Sequence, residues 1–390
     1  MSKSSRIDNS RLAQWWRSVD HWTLGSVGLL IGFGYILMLA ASPAVAQRIG
    51  ASRDMFIFKQ IVFLSVAALV MIYTSMLSIK TVRLLGILGS LIAIAATAFT
   101  LVHGIEIKGA RRWIALPFMS VQPSEFLKPF FAIMTAWLLT QWKMRFYLPG
   151  ILITFGFYGV ILFLLKSQPD IGMLTVITAV LFTQLFINGL NLFWVFSALG
   201  GMVAAFVGAY MAFPHVRSRI ERFIHPNVGD HYQIDIALRA FGNGGLMGRG
   251  PGEGRVKDLL PDAHADFVLA VAGEEFGMII CMLIILIFCF IVVRTLLKMI
   301  REENPFIILA TSGLITGFGL QAFINMGSTL HLIPTKGMTL PFISYGGSSA
   351  ISVALTIGLV LSLTRRRLQQ PEFLEKQHSI QPFSKRSLVR

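Results

Sequence analysis

Long apolar runs recur along nearly the whole chain, and they restrict the fold more than any other feature. Hydrophobic residues make up 55% of the 390 positions and charged residues only 14%, whereas about a quarter of the residues in soluble domains are charged. A run of about 20 apolar residues is long enough to cross a bilayer as a helix. The sequence therefore predicts an all-α polytopic membrane protein.

Ten of these runs have membrane-spanning length, so the sequence predicts ten transmembrane helices. The predicted spans are 22–42, 54–77, 81–102, 124–141, 147–165, 170–188, 190–213, 266–298, 305–328 and 343–364. The first run could also belong to a signal peptide, but about 20 apolar residues exceed the 7–15 of a signal-peptide core. We therefore expect the first span to be retained.

Lysine and arginine residues precede the first predicted span and follow the last one. The positive-inside rule places such residues in the cytoplasm, so both termini are predicted to be cytoplasmic. The predicted organisation is a cytoplasmic tail at 1–21, a ten-helix membrane domain at 22–364 and a basic cytoplasmic tail at 365–390. A large outer loop at 214–265 joins the seventh and eighth helices.

The net charge of +15 raises the question of an anionic partner. Because the basic residues lie beside apolar runs, they favour anionic lipid headgroups over nucleic acid. The two cysteines, Cys281 and Cys289, lie in one apolar run, so no disulfide framework is expected. The sequence has no HExxH motif, no CxxC pair and no histidine cluster, which disfavours a metalloenzyme.

Several cations fall in predicted outer loops, against the positive-inside rule. They are Lys108, Arg111, Arg112, Lys166 and Lys336. One explanation is that they bind an anionic ligand at the outer leaflet, and the other is that they pair with acids on the surface. We favour ligand binding for the short loops. For the loop 214–265 we do not, because that loop also carries many acids.

The large outer loop combines amphipathic segments with a glycine-rich segment. Residues 216–224 have apolar side chains at helical spacing, and a second segment has Ile234, Leu238 and Phe241 at a similar spacing. Both predict short helices on the membrane surface. The glycine-rich segment 242–254 lacks the Gly-Lys-Ser/Thr ending of a P-loop, and we interpret it as a flexible lid over an external cavity.

Polar residues gather at the predicted outer mouths of the fourth and sixth helices. At the fourth helix they are Arg111, Arg112, Gln122, Ser124, Glu125 and Lys128. Glu125 and Lys128 share a helix face, so they form either a self-satisfied ion pair or part of a ligand site. At the sixth helix, Asp170 is predicted to be a carboxylate at the helix N-terminus.

The segment "PTKGMTLPFISYGGSSA" leads into the last helix. Its candidate binding residues are Lys336, Ser344, Tyr345, Gly346 and Gly347. Glycines at a helix start leave backbone N–H groups open to an anion, which suits a phosphate-like ligand. A tight packing contact would explain the two glycines equally well.

The segment "LPDAHADFVLAVAGEEFG" leads into the eighth helix and carries several ionisable residues. They are Asp262, His264, Asp266, Glu274 and Glu275. Ionised carboxylates in hydrocarbon cost about 2.5–3.5 kcal/mol on insertion scales, so they tend to be functional. Asp266 is predicted at headgroup depth, and His264 either orients it or caps the turn. On a continuous helix Glu274 would lie about 12 Å deeper, so we interpret Glu274 and Glu275 as structural or as partners for another helix.

Six segments of the chain resemble the SEDS family (shape, elongation, division and sporulation) of polytopic peptidoglycan glycosyltransferases. They are "GARRWI", "QPSEFLK", "SQPDIGM", "YQIDIALRAFGNGGLMGRGPGEG", "LPDAHADFVLAVAGEEFG" and "LPFISYGGSSA". With the ten predicted helices, the resemblance covers about residues 20–365. The sequence "GPGEG…LLPDAH" and the extended basic N-terminus are more similar to the division branch of the family than to its elongation branch. The chain has Ala265 where the family usually has threonine.

This resemblance implies polymerisation of lipid II into β-1,4-linked glycan at the outer face of the cytoplasmic membrane, during septal wall synthesis. Asp266 corresponds to the family's essential acid. Because the lipid diphosphate is already a good leaving group, one general base acting on the acceptor hydroxyl suffices. Direct attack would invert the donor anomeric carbon and release undecaprenyl diphosphate. The leaving charge would be stabilised by Arg112, Lys128 or Lys336, or by a divalent cation such as Mg²⁺ or Mn²⁺.

The family also implies partners, namely a class B penicillin-binding protein that cross-links the strands and other division proteins. The main alternative function is a transporter that flips lipid II across the membrane. A transporter is expected to place ionisable residues near the bilayer midplane. In this sequence they lie at outer helix mouths, which favours chemistry at the membrane surface.

Overall fold

A computed structural model of the chain describes residues 10–365, except for 49, 51, 108–109, 142–146, 212–231, 261, 335–336 and most of 192–209. A helix is present at each predicted span that falls within these described residues. These helices are α2 (His21–Arg48), α3 (Arg53–Ser75), α4 (Ile79–His103), α5 (Pro123–Gln141), α6 (Tyr147–Ser167), α7 (Ile171–Ile187), α9 (Val268–Met299), α10 (Pro305–Thr329) and α11 (Gly347–Leu363). The predicted span 190–213 lies mostly outside the described residues.

Within the described residues, six helices are long and apolar enough to cross a membrane: α2, α3, α4, α6, α9 and α10. Helices α7 and α11 are apolar but shorter, and α5 carries Glu125 and Lys128 in its first turns. The helical, multi-pass architecture is therefore confirmed. The count of ten and the cytoplasmic location of both termini stay predictions.

Helix α11 lies at the centre of the bundle, and nearly all of its residues are buried. It runs along α3 at close approach, because a Cβ atom added to Gly358 would lie 1.9 Å from Thr74 Oγ1 and 2.6 Å from the Met71 carbonyl oxygen. Gly86 of α4 likewise faces Ile133 of α5. Such small residues let membrane helices pack closely where lipid supplies no hydrophobic driving force.

A small antiparallel sheet between α4 and α5 was not predicted from the sequence, which led us to expect an all-α protein. Its strands are β1 (Ile105–Ile107), β2 (Ala110–Ala115) and β3 (Ser120–Val121), in the order β1-β2-β3. The strands are too short to show a periodic pattern. The sheet matters for the site because β2 carries Arg111 and Arg112.

Helix α9 is interrupted at Gly277, whose φ of 82° and ψ of 177° are not helical. The segment Met278–Met299 alone extends about 33 Å, enough for a hydrocarbon core of about 30 Å. The preceding segment is not needed to cross the bilayer, and Val268–Glu275 is buried within the protein. The predicted span 266–298 therefore corresponds to α9, which consists of a short half-helix followed by a longer helix.

The predicted cytoplasmic end is held together by an ion-pair cluster. Part of the segment predicted as a tail forms helix α1 (Arg11–Ser18). Asp20 follows α1 and pairs with Arg294 at 2.8 Å and Lys298 at 2.7 Å. Burial alone would raise the pKa of Asp20, but hydrogen bonds from these two cations hold it below its ordinary value. The stabilisation is present above the ordinary aspartate pKa and is lost as pH falls through the lowered one.

Candidate active site

Asp266 lies in a turn just before the half-helix of α9, not on the helix itself. Residues 262–266 form this turn, and Phe267 is the N-cap of α9. The Asp266 N–H donates to the Asp262 carbonyl oxygen at 3.1 Å, and the Ala265 N–H donates to the same oxygen at 2.9 Å. Asp262 has a left-handed φ of 54°. The Asp266 carboxylate is half-buried at the surface of this turn.

Helix α10 holds the Asp266 turn from the side. Asn325 Nδ2 donates to the Asp266 carbonyl oxygen at 3.0 Å, and Thr329 Oγ1 donates to it at 3.4 Å. Asn325 lies about 30 Å along α10 from Pro305 at 1.5 Å per residue. The turn is therefore level with the end of α10 on the predicted outer side.

A loop that precedes α11 forms the other wall around Asp266. Asn325 Nδ2 also donates to the Met338 carbonyl oxygen at 2.6 Å. A Cβ atom added to Gly337, whose φ is +61°, would lie 3.6 Å from Asp266 Oδ2. Gly337 thus lies beside the Asp266 carboxylate. Lys336, predicted to bind a ligand here, lies outside the described residues.

His264 packs into the wall behind this turn. Its ring centroid lies 5.0 Å from that of Phe56 and 5.2 Å from that of Tyr345. Its carbonyl oxygen accepts a hydrogen bond from the Tyr345 N–H at 2.8 Å. His264 and Tyr345 therefore join the Asp266 turn to the start of α11. Direct orientation of the Asp266 carboxylate by His264 stays a prediction.

The glycines and Ser344 before α11 have packing roles. Ser344 Oγ accepts from the Leu340 N–H at 2.9 Å, which closes a turn. A Cβ atom added to Gly347 would lie 2.9 Å from the Phe63 ring, and one added to Gly346 would lie 3.3 Å from Thr339 Cγ2. The packing alternative therefore explains Gly347 directly, and it leaves an anion site there as a prediction.

Glu125 and Lys128 form a buried ion pair, as one of the two sequence hypotheses predicted. Lys128 Nζ lies 2.7 Å from Glu125 Oε2, and the two residues are 6% and 8% exposed. Lys128 also donates to Gln321 Oε1, and Ser349 Oγ donates to Glu125 Oε2 at 3.3 Å. The charges are satisfied inside the bundle, so Lys128 does not present a cation to an external ligand in this conformation.

Arg112 binds the turn between α6 and α7. It donates to the carbonyl oxygens of Gln168 at 2.8 Å and Pro169 at 2.7 Å, and lies 3.7 Å from Asp170 Oδ2. Asp170 is the N-cap of α7 and accepts from the Met173 N–H at 3.1 Å, which confirms its predicted role. Because the guanidinium already has these partners, it fixes β2, which leads into α5, relative to the turn between α6 and α7.

The remaining predicted residues lie near β2, the start of α5 and the turn between α6 and α7. Gln122 Nε2 donates to Ser124 Oγ at 3.1 Å and to Asp170 Oδ2 at 3.3 Å. Arg111 lies 3.4 Å from Glu106 Oε2, and its side chain is 53% exposed. Arg111 therefore faces the surface on the opposite side of β2 from Arg112, and a surface anion can reach it.

A polar stripe on α10 was missed from the sequence, and it connects the two halves of the site. Gln321, Asn325 and Thr329 recur every four residues in an otherwise apolar helix, which places them on one face. Gln321 Nε2 donates to the Thr339 carbonyl oxygen at 3.0 Å while its Oε1 accepts from Lys128. The four-residue spacing of polar side chains is the signal that would have found this stripe.

Glu274 and Glu275 bind the outer loop, whereas the sequence left open a neighbouring helix as their partner. Glu274 accepts from three consecutive backbone N–H groups, of Arg255, Val256 and Lys257, at 2.7–3.0 Å. Asn243 Nδ2 donates to the same carboxylate at 2.7 Å. Glu274 itself is 0% exposed. An internal carboxylate thus occupies the kind of N–H nest that often binds anions.

The glycine-rich segment fits into the break of α9, so its interpretation as a flexible lid is wrong for its described residues. The Arg249 and Gly250 N–H groups donate to the Glu274 and Glu275 carbonyl oxygens at 2.9 and 3.0 Å. The Met278 N–H in turn donates to the Gly245 carbonyl oxygen at 3.0 Å. Backbone groups freed by the break are therefore satisfied by the loop, as buried irregular backbone in a membrane protein requires.

Helix α8 (Tyr232–Gly244) confirms the second helix predicted in the outer loop, and of its predicted apolar residues Phe241 is buried but Leu238 is exposed. Leu238 is 42% exposed, whereas Ile236, Ala237, Ala240 and Phe241 are buried. These residues pack on the half-helix of α9. The helix therefore packs on protein through this face, and residues 216–224 lie outside the described residues.

The site contains a partly buried carboxylate, Asp266, in a turn held by α10, near buried acids and cations that pair with one another. Among the described residues, no group of three His, Cys, Asp or Glu side chains is arranged to hold a metal ion. A half-buried carboxylate beside a glycine can accept a proton from a hydroxyl group that approaches from that side. The chemistry that the arrangement favours is general-base catalysis at the predicted outer face.

Comparison with sequence families places this arrangement among membrane proteins of the cell cycle. A family model described as "Cell cycle protein" (FTSW_RODA_SPOVE) matches residues 21–369. A "Probable peptidoglycan glycosyltransferase FtsW" of Caulobacter vibrioides is 40% identical over 365 residues, covering 93% of this chain and 93% of that protein. One of the same name from Escherichia coli O157:H7 is 32% identical over 373 residues, covering 92% and 88%.

Solved structures share the same fold. A chain from a structure described as "Structural coordination of polymerization and crosslinking by a peptidoglycan synthase complex" superposes with a TM-score of 0.75 at 24% identity, covering 91% of this chain and 100% of that chain. The Thermus thermophilus rod shape determining protein RodA superposes with a TM-score of 0.65 at 23% identity, covering 90% and 97%. At these identities the likeness establishes the fold.

Proposed function

This chain belongs to the SEDS family of cell cycle proteins that includes FtsW, RodA and SpoVE, and from that premise we propose that it is a peptidoglycan glycosyltransferase that polymerises lipid II. The product is a β-1,4-linked glycan strand, made at the outer face of the cytoplasmic membrane. Relatives named peptidoglycan glycosyltransferase FtsW, 40% and 32% identical over most of their length, support the activity and the division branch.

The half-buried Asp266 carboxylate carries the proposed mechanism. Asp266 takes the proton from the 4-hydroxyl of the acceptor sugar, and the oxygen forms a bond to the anomeric carbon of the donor. The bond from that carbon to the diphosphate breaks, and undecaprenyl diphosphate leaves with the electron pair. A general base of this kind contributes about 10²- to 10⁴-fold to the rate. The position of Asp266 level with the predicted outer end of α10 supports this role, because the acceptor sugar is expected at the outer face.

The departing diphosphate requires positive charge. Among the predicted cations in the described residues, Arg111 is half-exposed on β2, whereas Arg112 and Lys128 already have buried partners. Arg111 therefore binds the diphosphate without disrupting a buried ion pair, and Lys336 remains a second candidate.

The proposed location and partners follow the same family. We place the protein in the cytoplasmic membrane at the division septum, as a multi-pass protein. Its proposed partner is a class B penicillin-binding protein, the transpeptidase that cross-links the new strands. The fold shared with a chain of a peptidoglycan synthase complex supports this pairing.

The test is polymerisation of labelled lipid II by the purified protein together with its cognate transpeptidase. Wild-type protein is expected to give long glycan products on a gel, and Asp266→Asn is expected to give none while it still folds. Glu253→Gln is the matched control, because it neutralises an exposed carboxylate of the same outer loop. Wild-type activity of Asp266→Asn would disprove the base assignment. Transfer of labelled lipid across vesicles without any polymer would establish a flippase instead.

A further inference from the structure

Asn325 makes an unusual pair of contacts from the middle of the α10 stripe. Its Nδ2 group donates to two backbone carbonyl oxygens, of Asp266 at 3.0 Å and of Met338 at 2.6 Å. One carbonyl belongs to the residue proposed as the base. The other belongs to Met338, and its neighbour Gly337 lies beside that base. One amide group therefore fixes both walls of the site at once.

Among the described residues, Asn325 is a side chain that bonds both walls directly, in addition to the His264–Tyr345 backbone contact. The Asp266 turn precedes α9, and the Met338 segment follows α10, so each is a loop that could shift against the other. Asn325 is 1% exposed, and without its N–H groups two carbonyl oxygens would face each other in a buried place. Buried carbonyl groups that lose their donors move towards other donors or water. The loss would therefore displace the Asp266 turn, the Met338 segment or both.

The neighbouring residue of the stripe fixes the same segment one position further on. Gln321 donates to the Thr339 carbonyl oxygen at 3.0 Å and accepts from Lys128, which pairs with Glu125. The segment 337–340 is thus held at two successive carbonyls by one helix. The buried Glu125–Lys128 pair contributes to this arrangement through Gln321, at a distance from the Asp266 carboxylate.

We propose that Asn325 is a positioning residue of the polymerase reaction. It holds the Asp266 carboxylate in place beside Gly337 without touching substrate. This inference rests on the proposed function of Asp266. Its physical basis is the sensitivity of proton transfer to geometry, because a misplacement of about 1 Å costs on the order of 10²-fold in rate. Substrate affinity depends on other contacts and is expected to change little.

Gln184 of α7 provides a matched control for the structural role of such an amide. Its Nε2 group also donates to two backbone carbonyl oxygens, of Ala132 at 2.6 Å and of Leu309 at 3.1 Å. It is 0% exposed. It joins α5, α7 and α10 near the other end of α10, away from Asp266. Removing either amide costs the same kind of hydrogen bonds, but only Asn325 holds the Asp266 turn.

The experiment compares Asn325→Leu and Gln184→Leu in lipid II polymerisation by the full-length protein with its partner. Asn325→Leu is expected to lower kcat about tenfold to a hundredfold and to leave KM within about twofold. Gln184→Leu is expected to keep the wild-type kcat, even where its melting temperature falls as much. If Asn325→Leu does not fold, Asn325→Ser retains one donor and is expected to give an intermediate kcat with a folded protein.

A second measurement separates positioning from activity. Hydrogen exchange of the Asn325→Leu protein is expected to rise in peptides that contain residues 262–267 and 337–340, whereas Gln184→Leu raises it near Ala132 and Leu309. Wild-type kcat in folded Asn325→Leu, or equal losses of kcat in both variants, would overturn the proposal. If Asp266→Asn polymerises normally while the exchange pattern holds, the proposed function of Asp266 fails and the coupling of the two loops survives.

Discussion

Asp266 and Glu274 lie eight positions apart in one short segment, yet their surroundings differ completely. Glu274 is 0% exposed and accepts hydrogen bonds from three backbone N–H groups and Asn243. Asp266 is partly buried, and a Cβ atom added to Gly337 would lie 3.6 Å from its Oδ2. Its backbone carbonyl accepts a hydrogen bond from Asn325.

The difference shows how an acid can be structural or reactive within the same short segment. A buried carboxylate that accepts four hydrogen bonds is held by the outer loop, so Glu274 stabilises that loop. A partly buried carboxylate whose backbone is fixed is preorganised for the proposed proton transfer. Substitutions at the two places should therefore affect different measurements: stability around Glu274 and turnover at Asp266.

The largest loss of stability is expected for Lys257→Met. Lys257 Nζ pairs with Glu275 and donates to the Ala40 carbonyl oxygen at 2.8 Å. Without it, the carboxylate of Glu275, which is 1% exposed, is buried without its cation, at a cost of about 3–5 kcal/mol. Unfolding in detergent measures this loss. The double variant Lys257→Met/Glu275→Leu should recover most of it, and a failure to recover would show that the pair acts through other contacts.

A smaller loss is expected for Gly277→Ala, which tests the break in α9. Any other residue at position 277 would be strained by this positive φ, at a cost of up to about 3 kcal/mol. The added Cβ atom would also lie 2.3 Å from the Leu246 carbonyl oxygen. Gly242→Ala is the control, because no atom lies within 4 Å of its Cβ position. Equal melting temperatures for the two variants would show that the loop is not locked into the break.

The sequence predicted the spanning helices because long apolar runs are a local signal. It also predicted the Asp170 cap and the Glu125–Lys128 pair, since both depend on residues three positions apart. The acid at Asp266 was identified by its cost in an apolar surrounding and by the family resemblance. Each of these features can be judged from a short window of sequence.

The parts that were missed depend on contacts between distant segments. The break of α9 is filled by residues 244–250, and no local pattern reveals that a loop will supply those hydrogen bonds. The buried face of α8 was predicted only in part, at Phe241, because the small residues Ala237 and Ala240 are buried beside it while Leu238 is exposed. Asn325 was missed because it acts on two backbone carbonyls from separate loops.

Glu274→Gln tests whether the Glu274 carboxylate is structural. The amide keeps the shape of the side chain but directs an NH₂ group at some of the backbone N–H donors of residues 255–257. Leaving one or two buried donors unpaired costs about 1–3 kcal/mol. A fall in melting temperature with turnover preserved in the remaining folded protein is the expected result. If turnover falls with no loss of stability, Glu274 takes part in the reaction and the contrast with Asp266 is wrong.

The smallest change in stability is expected for Asp266→Asn, the same substitution that should abolish polymerisation. Asparagine keeps the size of the side chain, and the hydrogen bonds from Asn325 and Thr329 to the Asp266 backbone carbonyl do not depend on the carboxylate, so the expected loss is no more than about 1 kcal/mol. Thermal unfolding in detergent, measured beside Glu274→Gln, checks this directly. A loss as large as that of Glu274→Gln would mean that the Asp266 carboxylate holds the turn together, and its inactivity could then no longer be assigned to a missing base.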